Sequence, residues 1–191
     1  MTLILLALAC VPELASPAAS GAPWEAPENG WGVSPPPDGL AAEGFEAGQI
    51  VPEFRLPDQN GDTVSLWQFY GQVVVLDVST MWCAPCRQLA ETAQEMADAF
   101  KDQGFFYTTV FPEDADGDAD DPVVPDQEDL LAWGDYYGIA EPLISDGEGY
   151  SSLVVGESYP VVVVIDREMR SLGRMEGPSD AQIREKVLEG L

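Results

Sequence analysis

Val73 to Arg87, VVVLDVSTMWCAPCR, constrains this chain more than any other stretch. An apolar run of strand type ends in Trp82-Cys83-Ala84-Pro85-Cys86 and passes directly into a helical pattern. Two cysteines with two residues between them, where a strand yields to a helix, form a redox pair before anything else. Cys83 would stand at the helix N-terminus, where unpaired N–H groups and the helix dipole favour its thiolate and make it the attacking sulfur. Cys86, one turn further in, would be more buried and suited to closing a Cys83–Cys86 disulfide from behind. Pro85 has no N–H, a small loss in a first turn where that donor has no partner.

These residues resemble the thioredoxin superfamily. The longer pattern VPEFRLPDQNGDTVSLWQFYGQVVVLDVSTMWCAPCR resembles the TlpA/ResA branch of extracytoplasmic redoxins, related to the AhpC/TSA peroxidases. The resemblance runs from about Gly48 to Leu191 and is weaker between Phe111 and Tyr159. It implies an α/β thioredoxin-like fold, a central mixed sheet flanked by helices with an N-terminal β-hairpin extension. It makes Asp77, six residues before Cys83, the buried carboxylate that manages the proton on the inner sulfur. It places a cis-proline at Tyr159-Pro160, beside the disulfide, where the backbone of Tyr159 would offer an edge to a substrate peptide. Trp82 and Pro160 would shape the face around the sulfurs.

The residues support the role of Asp77 independently, because an acid alone in an apolar strand is costly to bury uncompensated. A bond to backbone or an exposed position is the plainer alternative. Arg87 could stabilise the helix-start thiolate, hold an incoming peptide, or be a surface charge.

Composition removes several chemistries. With no histidine among 191 residues, a Cys–His nucleophile, a His-ligated metal and an imidazole base are all excluded. A Sco-like copper carrier shares the implied fold but needs a histidine ligand. The 34 Asp and Glu against 8 Lys and Arg give a net charge of −26, which disfavours nucleic acid and anionic lipid. A solvated acidic surface is the plain reading, a cationic partner the sharper one. At 46% hydrophobic, the chain is apolar enough and long enough to bury a core.

In chain order, residues 1–9 form a short apolar leader before Cys10. Ala7-Leu8-Ala9-Cys10 resembles a lipobox, in which Cys10 would be acylated. The leader is short and carries no preceding Lys or Arg. Cleavage near Ala18-Ala19-Ser20, or a cytosolic protein with an apolar N-terminal strand, are the alternatives. Residues 10–44, rich in Pro, Ala and Gly, read as a linker whose Trp24 and Trp31 either dock on the domain or stay exposed. The thioredoxin-like domain would span 45–191.

Within it, Phe54, Leu56, Val64 and Leu66 flank a turn-rich Asp58–Asp62 segment and predict a hairpin. A helical turn is expected at Leu66–Tyr70, a strand at Gln72–Ser79, a helix at Ala84–Gln103 and a strand at Phe105–Phe111. Asp126 would cap a helix reaching Gly138, with Leu130, Leu131 and Tyr137 inward. Ile139–Gly149 reads as loop, and Tyr150–Val155 as a short helix or a strand. Pro160–Ile165 and Ser171–Met175 would pair as antiparallel strands. Ser179-Asp180 would cap a last helix bearing Ile183, Val187 and Leu188.

Glu113 to Asp121 alternates aspartates, so Asp114, Asp116, Asp118 and Asp120 are weak calcium candidates. An EF-hand counted from Asp114 wants Gly at position 6 and Glu at position 12, and finds Ala119 and Pro125. A solvated acidic loop that restricts access to the sulfurs is the alternative. No cofactor beyond the redox disulfide is expected.

The expectation is an exported thiol–disulfide oxidoreductase, periplasmic or anchored as a lipoprotein, touching membrane only through that anchor. Client protein thiols and an upstream thiol donor would be its partners, it would act as a reductant, and it would be a monomer. A thiol peroxidase is the first rival: Thr80-Met81-Trp82-Cys83 has the Thr-x-x-Cys spacing of AhpC/TSA peroxidases, although Leu76 stands where they place a proline. A non-catalytic, acidic and calcium-responsive binding module of the same fold is the second.

Overall fold

The chain enters its fold through a hairpin and leaves it through a helix. The computed structural model describes residues 23–116, 123–156 and 158–191. In order it forms Arg55–Pro57 (β1), Thr63–Ser65 (β2), Val73–Val78 (β3), Ala84–Phe100 (α1) and Phe105–Phe111 (β4). Gln127–Tyr137 (α2), Leu143–Ser145 (β5), Val161–Ile165 (β6), Ser171–Glu176 (β7) and Asp180–Gly190 (α3) follow. The leader, Cys10, Asp118 and Asp120 lie outside the described residues.

One sheet has the order β5–β4–β3–β6–β7, and β1 pairs with β2 as a separate antiparallel hairpin. β3, β4 and β5 are parallel because a helix crosses over between each consecutive pair, while β6 runs antiparallel to its neighbours β3 and β7. β3 and β6 are buried at every position, which is why both are Val, Leu and Ile runs, broken only by Asp77, rather than alternating ones.

Pleating sorts β3 between two cores. Val73 and Val75 pack with Leu89, Ala93 and Met96 of α1, Leu130 and Trp133 of α2, and Ile183 and Val187 of α3. Val74, Leu76 and Val78 pack on the opposite face with Leu56, Val64, Trp67 and Phe69 around the hairpin. This alternation puts Asp77 on the helix-facing side. Gly104, at φ 72, takes the left-handed turn that ends the helical segment after α1.

Several expectations change. Ile139–Gly149 is not loop throughout, because Leu143–Ser145 pairs with Thr109–Phe111 of β4. Three residues carry too little pattern to announce a strand; the neighbouring edge makes it one. Leu131 is 46% exposed and Trp133 takes its inward place, since Leu130, Trp133 and Gly134 share the buried stripe. Leu188 is likewise exposed. Tyr150–Leu153 resolves as a single 3₁₀ turn.

The described part of the Pro-rich segment lies on the hairpin side of the domain. Trp24 donates its indole N–H to Glu53 and Ser65, Trp31 donates to Asp58 at 2.6 Å, and Ser34 bridges Phe69. No helix among the described residues is long and apolar enough to cross a membrane.

Candidate active site

The strand-to-helix junction sets the two cysteines at different depths. Cys83 is the residue that caps α1, with extended backbone, and its sulfur accepts the N–H of Cys86 at 3.4 Å. Pro85 sits in the first turn, where it costs no hydrogen bond. Cys83 retains 6% of its surface and Cys86 only 1%, and both are free thiols, so the pair stands as the dithiol. Cys83 is the less buried of the two cysteines.

Three side chains frame Cys83. The Tyr159–Pro160 bond is cis, and the Cys83 thiol donates to the Tyr159 carbonyl at 3.6 Å. Trp82, exposed beside the pair, meets the Tyr159 ring edge-on at 6.3 Å. Its indole N–H donates to Glu113 at 2.7 Å, and the Glu113 carbonyl accepts the Met81 N–H. The acidic loop is therefore tied to the redox face by both backbone and side chain. Burial, aided by the charges of Glu113 and Asp146, pushes the Tyr159 phenol up to about 12.

Cys86 faces inward to a second set. Burial pushes its thiol well up; the bond with Cys83 and the charge of Asp77 act the same way. The polar groups of the Thr80 backbone and the Ser79 side chain pull in the opposite direction. Asp77, 2% exposed, accepts from the Ser79 hydroxyl at 2.6 Å and from the Tyr107 phenol at 3.2 Å. Burial raises its carboxyl to about 6, against those two bonds. The structure thus gathers Cys83, Cys86, Asp77, Trp82, Pro85, Tyr159 and Pro160 at one end of the sheet.

Ser79 and Tyr107 were missed in the sequence. Ser79 follows Asp77 at the strand period, a signal that was present. Tyr107 becomes a partner only through the β3–β4 register, Val75 opposite Tyr107. Arg87 spends its Nε–H on the Met81 carbonyl at 2.8 Å. With Met81, Asp129, Trp133, Tyr136 and Tyr137 it lines a cleft of about 360 Å³ next to the pair.

Of the calcium candidates, Asp114 and Asp116 are among the described residues. The Asp116 N–H donates to the Asp114 carboxylate at 2.8 Å, an Asx turn within the loop. Among the described residues no group of three or more His, Cys, Asp or Glu side chains is placed to hold a metal.

A family model described as AhpC/TSA matches residues 47–170. Thioredoxin-like protein YneN of Bacillus subtilis strain 168 is 24% identical over 125 residues, 65% of this chain and 68% of that protein. A secreted thiol-disulfide isomerase from Corynebacterium glutamicum superposes with a TM-score of 0.62 at 19% identity, over 80% of this chain and 93% of that one. Peroxidoxin BcpB from Mycobacterium tuberculosis superposes with a TM-score of 0.60 at 18% identity, over 75% and 95%. At these identities the superpositions carry the thioredoxin-like fold alone.

Proposed function

We propose the following from the premise that this chain belongs to the AhpC/TSA family: it is a thioredoxin-like thiol–disulfide oxidoreductase that acts on cysteines of exported proteins, as their reductant. The observation that carries the reading is the depth of the two sulfurs. Cys83 caps a helix and keeps a sliver of exposed surface, with a backbone carbonyl beside it, and Cys86 lies deeper with the charge of Asp77 acting on it.

The chemistry follows from that placement. The Cys83 thiolate attacks one sulfur of a client disulfide, and the other client sulfur leaves as a thiolate. Cys86 then loses its proton and attacks Cys83, which forms the Cys83–Cys86 disulfide and frees the second client thiolate. An upstream thiol donor reduces the pair again. Tyr159 and Trp82 border the sulfur that the client meets, and the net charge of −26 favours clients with basic surroundings. Export is supported by the secreted relative of the same fold and by the leader before Cys10, whose acylation or removal would leave only the reactive pair.

Equilibrating the Cys83–Cys86 pair with glutathione or dithiothreitol buffers, with mass-tagging of free thiols, tests the direction. A potential near about −270 mV means a reductant; one near about −120 mV means a disulfide donor, and overturns the reductant assignment.

One observation favours a second reading, a thiol peroxidase. Thr80 stands three residues before Cys83, is fully buried, and its hydroxyl has no hydrogen-bond partner among the described residues. Peroxide consumption by the reduced protein, absent in the oxidoreductase reading, separates the two.

A further inference from the structure

The cleft beside the redox helix is built from two helices. Met81 and Arg87 bring it to the start of α1, and Ala132, Trp133, Tyr136 and Tyr137 come from α2. Backbone and side chain tie it to Cys83. The Arg87 N–H donates to the Cys83 carbonyl at 3.1 Å, and the Arg87 Nε–H donates to the Met81 carbonyl at 2.8 Å. At about 360 Å³ the cleft lies within the range of ligand sites and has room for a large side chain.

Its main wall is aromatic. Trp133, Tyr136 and Tyr137 stand at i, i+3 and i+4 on α2, the spacing that puts them on one face. Their rings form a ladder: Phe111 meets Trp133 at 5.2 Å, Trp133 meets Tyr137 at 4.6 Å, and Tyr137 meets Tyr136 at 4.8 Å. Phe111 is fully buried and Tyr136 is 81% exposed, so the ladder runs from the core into solvent. An aromatic stripe that served only the core would end covered. This one ends open, beside the redox pair.

The cleft also carries donors in want of acceptors. Trp133 is nine-tenths buried, and its indole N–H has no hydrogen-bond partner among the described residues. Buried donors are nearly always paired, so this one calls for an acceptor from outside the chain. Arg87 spends its Nε–H on Met81, and no carboxylate among the described residues pairs with its guanidinium. Asp129, the carboxylate on the cleft, accepts the Asp126 N–H at 2.9 Å instead. A peptide suits these donors, because its backbone carbonyls are neutral acceptors. A free carboxylate or phosphate would have to approach against a net charge of −26.

We propose that this cleft recognises the client: it takes an aromatic side chain of the polypeptide whose cysteine meets Cys83, while Arg87 holds a client backbone carbonyl. The inference rests on the oxidoreductase reading above and names the client class, a segment with Phe, Tyr or Trp near its cysteine. Such side chains are mostly covered in folded proteins, so the segment is one that is unfolded or extended when it docks. The incoming ring adds a rung to the ladder, edge to face with the rings of α2.

Two measurements test it. In the first, which needs no redox chemistry, the cysteine-free peptides acetyl-Ala-Phe-Ala-amide and acetyl-Ala-Ala-Ala-amide are titrated into the reduced, ¹⁵N-labelled full chain. Among its five indole N–H resonances, that of Trp133 should shift saturably with the Phe peptide and stay still with the Ala peptide. The second is steady-state reduction of short peptides, each a homodimer joined by one disulfide, with dithiothreitol as donor. The peptides differ only in Phe or Ala at one of the three positions on either side of the cysteine. At one position or more, Phe should lower KM about tenfold with kcat unchanged. Ala132→Phe, which fills the cleft from an exposed position of α2, should bring that ratio within twofold. Arg87→Gln should raise KM about fivefold for Phe and Ala peptides alike, since a backbone carbonyl is common to both.

Equal KM for Phe and Ala peptides at every position overturns the proposal, and so does discrimination that survives Ala132→Phe. A Trp133 resonance that ignores the Phe peptide overturns it too, a result that needs no variant to fold. Shifts that follow protein concentration rather than added peptide would seat a second copy of the chain in the cleft, against the proposal. Reduction of the Ala peptides keeps the oxidoreductase reading standing whatever the cleft does. If no peptide is reduced, that reading falls and the client assignment falls with it.

Discussion

Asp77 and Glu53 are buried carboxylates on opposite faces of the sheet, and the pair looks alike until its neighbours are compared. Asp77 lies on the helix side and is raised to about 6; Glu53 lies on the hairpin side and is raised to about 7. Burial is the leading cause in both, and hydrogen bonds oppose it in both. The difference is in the donors. Glu53 accepts from the Ser65 hydroxyl at 3.0 Å, the Trp67 N–H at 3.2 Å and the Trp24 indole at 3.1 Å. None of those groups exchanges a proton near neutral pH, so Glu53 clamps the N-terminal segment to the hairpin and does no more. Asp77 has a thiol for a neighbour, and its charge acts on Cys86. A perturbed carboxyl reports burial; a titrating neighbour is what makes it a catalytic candidate.

The largest expected effect tests how alike the two acids are. Each is a carboxyl whose pKa is higher folded than unfolded, so the folded state holds its proton longer. Its stability contribution is complete below the unfolded value and is lost as pH rises through the folded one. For Glu53 that window runs from 4.5 to about 7, and for Asp77 from 3.8 to about 6. Across its window each acid should cost the fold about 3 kcal/mol. Chemical denaturation of Glu53→Gln from pH 4 to 8 should show the upper part of that decline flattened, and Asp77→Asn the lower part. A decline that survives both substitutions would assign it to other acids.

Activity should then separate what stability does not. Asp77→Asn removes the proton acceptor and should slow turnover of a small disulfide on the order of a hundredfold. Glu53→Gln, measured beside it, should turn over within twofold of wild type. Equal losses in both would mean that the two faces are coupled and that the contrast drawn from their neighbours is wrong.

A smaller effect belongs to the clamp. Trp24→Ala removes the indole that bonds Glu53 and carries the Arg55 guanidinium 5.8 Å from its ring. The folded state should lose about 1–2 kcal/mol in urea denaturation, with no change in turnover. No loss at all would mean that the segment is held by Trp31 on Asp58 and by the Ser34–Phe69 bridge instead.

The sequence revealed the helix side far better than the hairpin side. Cys83, Cys86 and Asp77 lie within ten residues, so strand period and helix start fix their relation locally. Strands β3 and β6 were legible because burial on both faces writes itself as Val, Leu and Ile runs, broken only by Asp77. Glu53, by contrast, sits in a loop and meets Trp24 across 29 residues, a contact with no periodic trace. Tyr107 reaches Asp77 across 30 residues through strand register, which sequence does not print. β5 failed for a related reason: Leu143–Ser145 owes its extended form to the edge of β4 rather than to its own three residues. Leu131 was assigned inward because apolar, whereas the buried stripe of α2 is narrower than its apolar content.

The smallest effect sharpens the comparison by setting a second indole–carboxylate bond against the first. Trp24 and Glu53 meet partly buried, whereas Trp82 and Glu113 meet exposed, at 2.7 Å. An exposed bond competes with water and screening salt, so its net worth is about 0.5–1 kcal/mol, and it should barely move the melting point. Its value lies in holding Trp82 edge-on to Tyr159, on the face that the proposed reaction offers to a client. Glu113→Ala should therefore raise KM for a disulfide peptide about threefold with kcat unchanged, because ordering the indole then falls to the binding step. The loss should shrink in 0.5 M salt, where the wild-type bond is itself weakened. A fall in kcat at constant KM would instead place Glu113 in the chemistry, through its charge on Tyr159 beside Cys83.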